Sequence, residues 1–326
     1  MAPSRHILIT GASSGIGYQA AVQLLRAGHR LTLPCRDPER AASSARRIAT
    51  EAGTGGEPQA LVADLADLES VSRCSQELLR RGEPIDTLVL NAGLQDTGAR
   101  EPRRSAQGYE LTIAVNHLAH QLLAQQLLPL LEAGREPRLV VTASEVHDPA
   151  SPGGRVGRGA GLGRLDGLRQ GAGFAMVDGR SPFDADKAYK DSKLCNVLFA
   201  RQLQQRLQEQ GHDWPVIAWS PGLVIPRTSD GFFRYSRRHN EMGQRLFALV
   251  ARDLLRLTET AEGAGALLAG LAADPAHGRG GFHYWSNRVL GPGRRRFEAV
   301  EPSAEASDDA VAAALWRLSA ELVGLG

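Results

Sequence analysis

The chain has 326 residues, 42% of them hydrophobic and 23% charged, with a formal charge of +2 at neutral pH. That balance is ordinary for a soluble globular protein and too weakly basic to argue for a nucleic-acid partner. No stretch approaches the ~18 uninterrupted apolar residues of a membrane span, and Cys35, Cys74 and Cys195 have no metal-binding spacing, so no metal is expected.

The first residues, Met-Ala-Pro-Ser-Arg-His, run straight into an apolar segment. No signal peptide is therefore expected, and a cytoplasmic location with reduced thiols fits the odd cysteine number. Peripheral membrane contact stays compatible with this composition, and nothing in it sets the oligomeric state. Of 38 basic residues only three are lysines, Lys187, Lys190 and Lys193, all within seven positions. Arginine serves wherever plain positive charge suffices, but it cannot replace a compact ammonium of tunable pKa.

In chain order, apolar runs at 5–10, 30–35, 59–63, 87–90, 138–142, 216–219 and 281–285 read as seven strands. Helical patterns fall between them at 16–27, up to about residue 51, at 68–81 and at 109–131. Near-continuous apolar strands alternating with helices predict a doubly wound α/β domain with a parallel sheet covered on both faces. Ligands are then expected beyond the carboxyl ends of the strands. Two segments break the rhythm within this single 1–326 domain. Residues 151–181 form a Gly-rich insert, and 223–257 begin aromatic (Phe232, Phe233, Tyr235) and continue helical, as a candidate substrate lid. Arg234, Arg237, Arg238 and His239 make a basic cluster there, which a solvated helix face explains.

Thr10-Gly-Ala-Ser-Ser-Gly-Ile-Gly17 follows the first strand and opens the first helix. Gly11 suits a tight turn, Gly15 a close backbone approach to a pyrophosphate, and Gly17 close helix–sheet packing. With Ser13, Ser14 and Ile16 they form a candidate nucleotide loop; a plain tight turn is the alternative. After the second strand, Arg36 could meet a 2′-phosphate, which favours NADP(H) over NAD. Asp37 beside it argues the other way unless it caps the helix opened by Pro38. Asp64, with Leu65, suits an adenine amine or a helix cap. Asn91-Ala92-Gly93 makes a small-residue turn where backbone can pass close to the cofactor.

Tyr189-Lys-Asp-Ser-Lys193 sets Tyr and Lys four residues apart on one helix face. A phenol has an unperturbed pKa of about 10, and a nearby ammonium would lower it toward usefulness. Ser144, ending the fifth strand, could donate to a substrate oxygen. Asn116 could bind a water that relays protons to Lys193. The alternative is an amphipathic helix with a surface lysine and a half-buried tyrosine.

These residues, with Pro221-Gly222, resemble the pattern of the short-chain dehydrogenase/reductase family along the whole chain. The resemblance implies a Rossmann domain, hydride transfer from a nicotinamide, Tyr189 as proton donor and Lys193 on the nicotinamide ribose. Arg36 matches the Cys-Arg-Asp pattern of members that prefer NADPH. Within the family, the stretch 188–196 around Tyr189, Met176-Val-Asp-Gly179, Tyr284-Trp-Ser286, Glu110-Leu, Asn116-His117, Glu305-Ala-Ser-Asp308 and Leu322-Val-Gly-Leu325 resemble light-dependent protochlorophyllide reductases. Those enzymes carry Tyr-Pro-Gly-Cys after strand six, lining the pigment pocket; this chain has Ser220-Pro-Gly-Leu223. A pocket glutamine of their lid helix falls at Ala251 here. Cys195 reads as a packing residue rather than a replacement proton donor. The expected activity is NADP(H)-dependent reduction of a bulky apolar or pigment-like carbonyl or enone. Light-dependent protochlorophyllide reduction is the alternative, and a non-enzymatic NADP(H) sensor the third reading.

Overall fold

The computed structural model describes residues 3–225, 238, 241, 249–254 and 256–326. One sheet runs through the molecule in the order β3-β2-β1-β4-β5-β6-β7-β8. Its strands are β1 His6–Ile9, β2 Arg30–Cys35, β3 Gln59–Val62, β4 Thr87–Leu90, β5 Arg138–Thr142, β6 Pro215–Ser220, β7 Gly281–Gly291 and β8 Arg294–Ala299. The first seven are mutually parallel, while β8 returns antiparallel to β7 with Trp285 opposite Ala299. The sheet therefore has eight strands rather than the expected seven, and β7 is twice as long as its apolar run suggests. The physical reason is the edge position. β8 begins Arg294-Arg295-Arg296 and is largely solvated, so it carries none of the continuous apolar signature of the buried strands.

Helices cover both faces. On one lie α1 (Gly15–Arg26), α2 (Pro38–Ala52) and α7 (Ala261–Ala273), packed on Ile7, Ile9, Val140, Ile217 and Trp219. On the other lie α3 (Leu68–Arg81), a composite helix α4, the long α6 (Ala185–Glu209) and α8 (Asp309–Leu322), packed on Leu8, Leu88, Val141 and Ala218. Neighbouring β-residues thus face opposite cores, as the twofold repeat of a strand requires. The expected helix at 109–131 is divided: an α-turn Leu111–Ile113, a π-helical stretch Ala114–Leu118, then an α-helical run Ala119–Glu132. Composition does not announce such a change of ladder, because it alters the hydrogen-bond partner and leaves the apolar spacing nearly intact.

The Gly-rich insert contains a short helix α5 (Asp166–Gln170) and sinks Leu162, Leu165, Leu168, Phe174, Met176 and Val177 into the interior. Most of the candidate lid, including Phe232, Phe233, Tyr235, Arg234, Arg237 and His239, lies outside the described residues. Arg238 is exposed, and Ala251 is buried in a π-helical segment Leu249–Leu254.

Candidate active site

The glycine turn joins β1 to α1 at the carboxyl end of the sheet. Gly11 has φ +73°, and a Cβ there would stand 2.8 Å from Ala92 Cα. A Cβ on Gly17 would fall 2.5 Å from Asn91 Nδ2 and 2.6 Å from the Gly11 oxygen, so helix, turn and β4 can meet only at glycine. Ser14 occupies the N-cap of α1 without making a side-chain capping bond. The first N–H groups of α1 keep their capacity for an anionic ligand. Ser13, Ser14 and Ile16 are half-buried around this turn and Gly15 is exposed.

Beside it, at the end of β2, a cavity of about 500 Å³ is bordered by three arginines (Arg36, Arg40, Arg47), three serines (Ser13, Ser43, Ser44) and two carboxylates (Asp37, Glu39). Asp37 caps α2, accepting from Arg40 N at 2.8 Å. Its Oδ2 also lies 3.4 Å from Arg40 Nε and 3.7 Å from Arg36 Nε. The acidic residue therefore holds two guanidiniums at the cavity mouth. Arg40, Ser43, Ser44 and Arg47 escaped the sequence reading. The signal was present, since spacings of three and four put them on one face of α2. Asp64 is half-buried and accepts from Ala66 N at 3.0 Å, while the cap of α3 is Asp67. Leu65 packs partly buried against the adjoining core.

The Asn91-Ala92-Gly93 turn is gripped from two sides. Thr10 Oγ1 accepts from Asn91 N at 2.9 Å and from Ala92 N at 3.0 Å, and Asn91 Nδ2 donates to the Thr10 carbonyl at 3.0 Å. From α4, Asn116 Oδ1 accepts from Leu94 N at 2.8 Å; its Nδ2 donates to Leu94 O and Ser192 Oγ, both at 3.0 Å. Both Nδ2 protons of Asn116 are thus engaged by protein, while Oδ1 keeps one lone pair. A Cβ on Gly93 would lie 3.3 Å from Asn116 Oδ1 and 3.6 Å from Lys193 Nζ, so the turn brings Asn116 and Lys193 together.

Tyr189 and Lys193 rise one turn apart from α6, whose first N–H groups are capped by Asp184. Lys193 Nζ lies 5.6 Å from the Tyr189 ring centroid and donates to the Thr142 carbonyl at 3.0 Å. Ser144 stands just past β5, at the N-cap of a short turn Glu145–His147, with its hydroxyl in hydrogen-bonding contact with the Tyr189 phenol. Burial pushes the phenol well above its ordinary pKa, and the Ser144 contact offsets only part of this. Burial lowers Lys193 to about 7. The expected downward pull of an ammonium on the phenol is outweighed, because both groups sit where charge is poorly solvated.

The other two lysines do a different job. Lys190 Nζ donates to three backbone carbonyls of the insert, Gly154 O at 3.1 Å, Arg158 O at 2.9 Å and Val156 O. Lys187 Nζ donates to Gly161 O at 2.7 Å, pairs with Asp191 at 2.6 Å and lies 3.3 Å from Asp178. Each ammonium has three N–H donors and three short partners, a geometry that a planar guanidinium cannot supply.

After β6, Ser220 is fully buried and its Oγ accepts from Glu145 N at 3.0 Å and Gly222 N at 3.4 Å. Asn287 Nδ2 holds the Pro221 carbonyl at 3.2 Å, and Leu223 O accepts from Glu259 N at 2.8 Å. This turn is built from β6 and β7 and lies next to Ser144. Cys195 is fully buried, with burial pushing its thiol up, in keeping with a packing role. Cys35 and Cys74 are likewise buried and unpaired. Among the described residues no group of three or more His, Cys, Asp or Glu could hold a metal ion, and no helix is long and apolar enough to cross a membrane.

Residues 5–156 match the family model described as short chain dehydrogenase. The chain is also 36% identical to protochlorophyllide reductase A, chloroplastic, of Oryza sativa subsp. japonica, over 98% of its own length and 80% of the rice protein. The chain belongs to the short-chain dehydrogenase family. Two solved structures agree with this dehydrogenase fold. An uncharacterized protein of Mycobacterium paratuberculosis superposes with a TM-score of 0.68 at 27% identity, over 99% of this chain and 96% of the other. The RhlG/NADP active-site complex of Pseudomonas aeruginosa gives 0.62 at 26%, over 86% and 94%.

Proposed function

We propose that this dehydrogenase is an NADP(H)-dependent reductase of a bulky apolar carbonyl or enone, with Tyr189 as the proton donor. The observation that carries the reading is the meeting of Ser144, Tyr189 and Lys193 at the carboxyl end of β5, next to the turn on which Gly93 faces Lys193. The site fits the cofactor. The glycine turn is open at Gly15, where a Cβ would meet nothing within 4 Å, and this open backbone at the start of α1 suits a close-lying pyrophosphate; the cavity at the end of β2, with its three arginines, suits a 2′-phosphate. NADPH bound there supplies the hydride.

The chain's own residues handle the rest. Ser144 Oγ orients the substrate oxygen against the Tyr189 hydroxyl. Tyr189, held protonated by burial, gives up its proton as negative charge develops on that oxygen. Lys193, lowered to about 7, exchanges a proton near neutrality and steadies the transient phenolate. Asn116 fixes the Leu94 turn on which this arrangement rests. In this reading Asp64 and Leu65 serve the adenine end, and Pro221 and Gly222 the nicotinamide end.

A second reading, light-dependent reduction of the protochlorophyllide C=C bond, is favoured by the identity to the rice reductase across nearly the whole chain. Ser220 and Leu223 weigh against it, since they replace the Tyr and Cys of the pigment-binding turn in the reductases the sequence resembles. Purified protein with NADPH is tested against protochlorophyllide in light and darkness and against a panel of aromatic and long-chain ketones and enones. Dark NADPH oxidation with the panel supports the carbonyl reading. A light-only chlorophyllide absorbance overturns it in favour of the second.

A further inference from the structure

The turn that faces Lys193 is enclosed by a ring of hydrogen bonds, and the ring closes through a residue with no part in the reaction above. Thr10 holds one side, through Asn91 N and Ala92 N; Asn116 holds the other, through Leu94 N and Leu94 O. His120, 1% exposed on α4, joins the two holders. Its Nδ1 lies 3.1 Å from the Asn116 carbonyl oxygen and its Nε2 lies 3.0 Å from Thr10 Oγ1.

The proton positions in this ring follow from donor and acceptor chemistry. A carbonyl oxygen only accepts, so the imidazole proton sits on Nδ1 and is donated to Asn116. Nε2 is then an acceptor. Thr10 Oγ1, whose lone pairs receive the two backbone N–H groups, has one proton left and donates it to Nε2. The competing acceptor, Val89 O, is more distant at 3.4 Å. Every group in the ring is satisfied by one tautomer. A proton on Nε2 instead would set two donors against each other at Thr10, or leave the Asn116 carbonyl facing a bare nitrogen.

We propose that His120, as its neutral Nδ1–H tautomer, is a positioning residue that locks the Asn91–Leu94 turn against Lys193 and so shapes the nicotinamide-ribose end of the cofactor site. The inference rests on the NADP(H) reading and narrows it to one half of the nucleotide. The adenine half, held at Ser13, Arg36 and Arg40, lies outside the ring. Loss of His120 therefore weakens the nicotinamide half selectively, whereas simple loss of packing would weaken both.

The test compares NADPH with 2′,5′-ADP, which carries only the adenine half and its 2′-phosphate. Binding to the full chain is followed by nicotinamide fluorescence and by competition. His120→Phe keeps the volume and removes both bonds; it is expected to weaken NADPH about tenfold and 2′,5′-ADP less than about twofold. His120→Asn, which can still donate to the Asn116 carbonyl, is expected to recover part of the NADPH affinity. Equal weakening of both ligands, or of neither, overturns the proposal. As a second measurement, ¹⁵N-histidine spectra of the wild-type chain should contain a buried Nδ1–H imidazole, assigned to His120 by its absence from the spectrum of folded His120→Asn while the other histidine signals persist. An Nε2–H signature for that residue overturns the proposal as well. Wild-type protein binding neither NADPH nor 2′,5′-ADP would refute the cofactor reading itself, and the tautomer measurement would still decide the ring.

Discussion

Lys193 donates from Nζ to the carbonyl oxygen of Thr142 at 3.0 Å, from a position with 2% exposure. A carbonyl accepts from an amine as well as from an ammonium, though more strongly from the charged form, so this bond fixes the side chain and opposes only part of the desolvation. Burial then lowers Lys193 to about 7, from an unfolded value of about 10.4.

The sign of the resulting stability effect follows from proton counting. Between about pH 7 and 10.4 the unfolded chain binds more protons at this lysine than the native one, so native stability rises with pH across that window. Below pH 7 the slope from Lys193 disappears. In urea unfolding at pH 7 and pH 9, wild type should gain stability relative to Lys193→Met, by at most about 1.4 kcal/mol per pH unit. A constant difference between the two proteins would contradict the lowered value.

Tyr189→Phe removes the donated proton and leaves the ring in place. With any substrate the wild type reduces, turnover should fall by roughly a hundredfold to ten-thousandfold. NADPH affinity, measured by fluorescence titration, should stay nearly constant. Because burial holds the phenol protonated, wild-type activity should show no loss from Tyr189 ionisation up to about pH 9.

The paired guanidiniums at Asp37 predict a shared anion clamp. Arg36→Ala and Arg40→Ala should each cost NADPH binding about 1.5–3 kcal/mol and NADH binding far less. Equal losses for both nucleotides would remove the 2′-phosphate role. Arg47→Ala, further along the same face of α2, should act in the same direction if the phosphate sits deep in the cavity.

Lys190 ties down the stretch that carries the exposed Arg155 and Arg158, both natural trypsin sites. Lys190→Met leaves three carbonyls without their common donor, at a cost of about 1–3 kcal/mol. Trypsin should then cut after Arg155 or Arg158 markedly faster than in wild type, as followed by mass spectrometry. Lys190→Arg should restore little of this protection, because a planar fork does not converge on three carbonyls.

The sequence by itself determined the alternation of strands and helices, the glycine turn after β1, and the order in which Asn91, Asn116, Ser144, Tyr189 and Lys193 follow strand ends. Those features are local: an apolar period, a turn that tolerates no Cβ, or two residues one helical turn apart are each written in neighbouring positions. The tertiary structure alone decided how those residues are used. The clustering of lysines pointed to one segment, but only packing separates Lys193, beside Tyr189, from Lys187 and Lys190, which anchor the insert. Asn116 was legible as a site residue, yet its amide proves to hold Leu94 and Ser192, partners 22 and 76 residues away. Strand β8 was missed because an edge strand faces water and needs no continuous apolar run. Hydrogen bonds between distant segments and the desolvation that moves Tyr189 and Lys193 arise only when the chain closes on itself, so no window of sequence contains them.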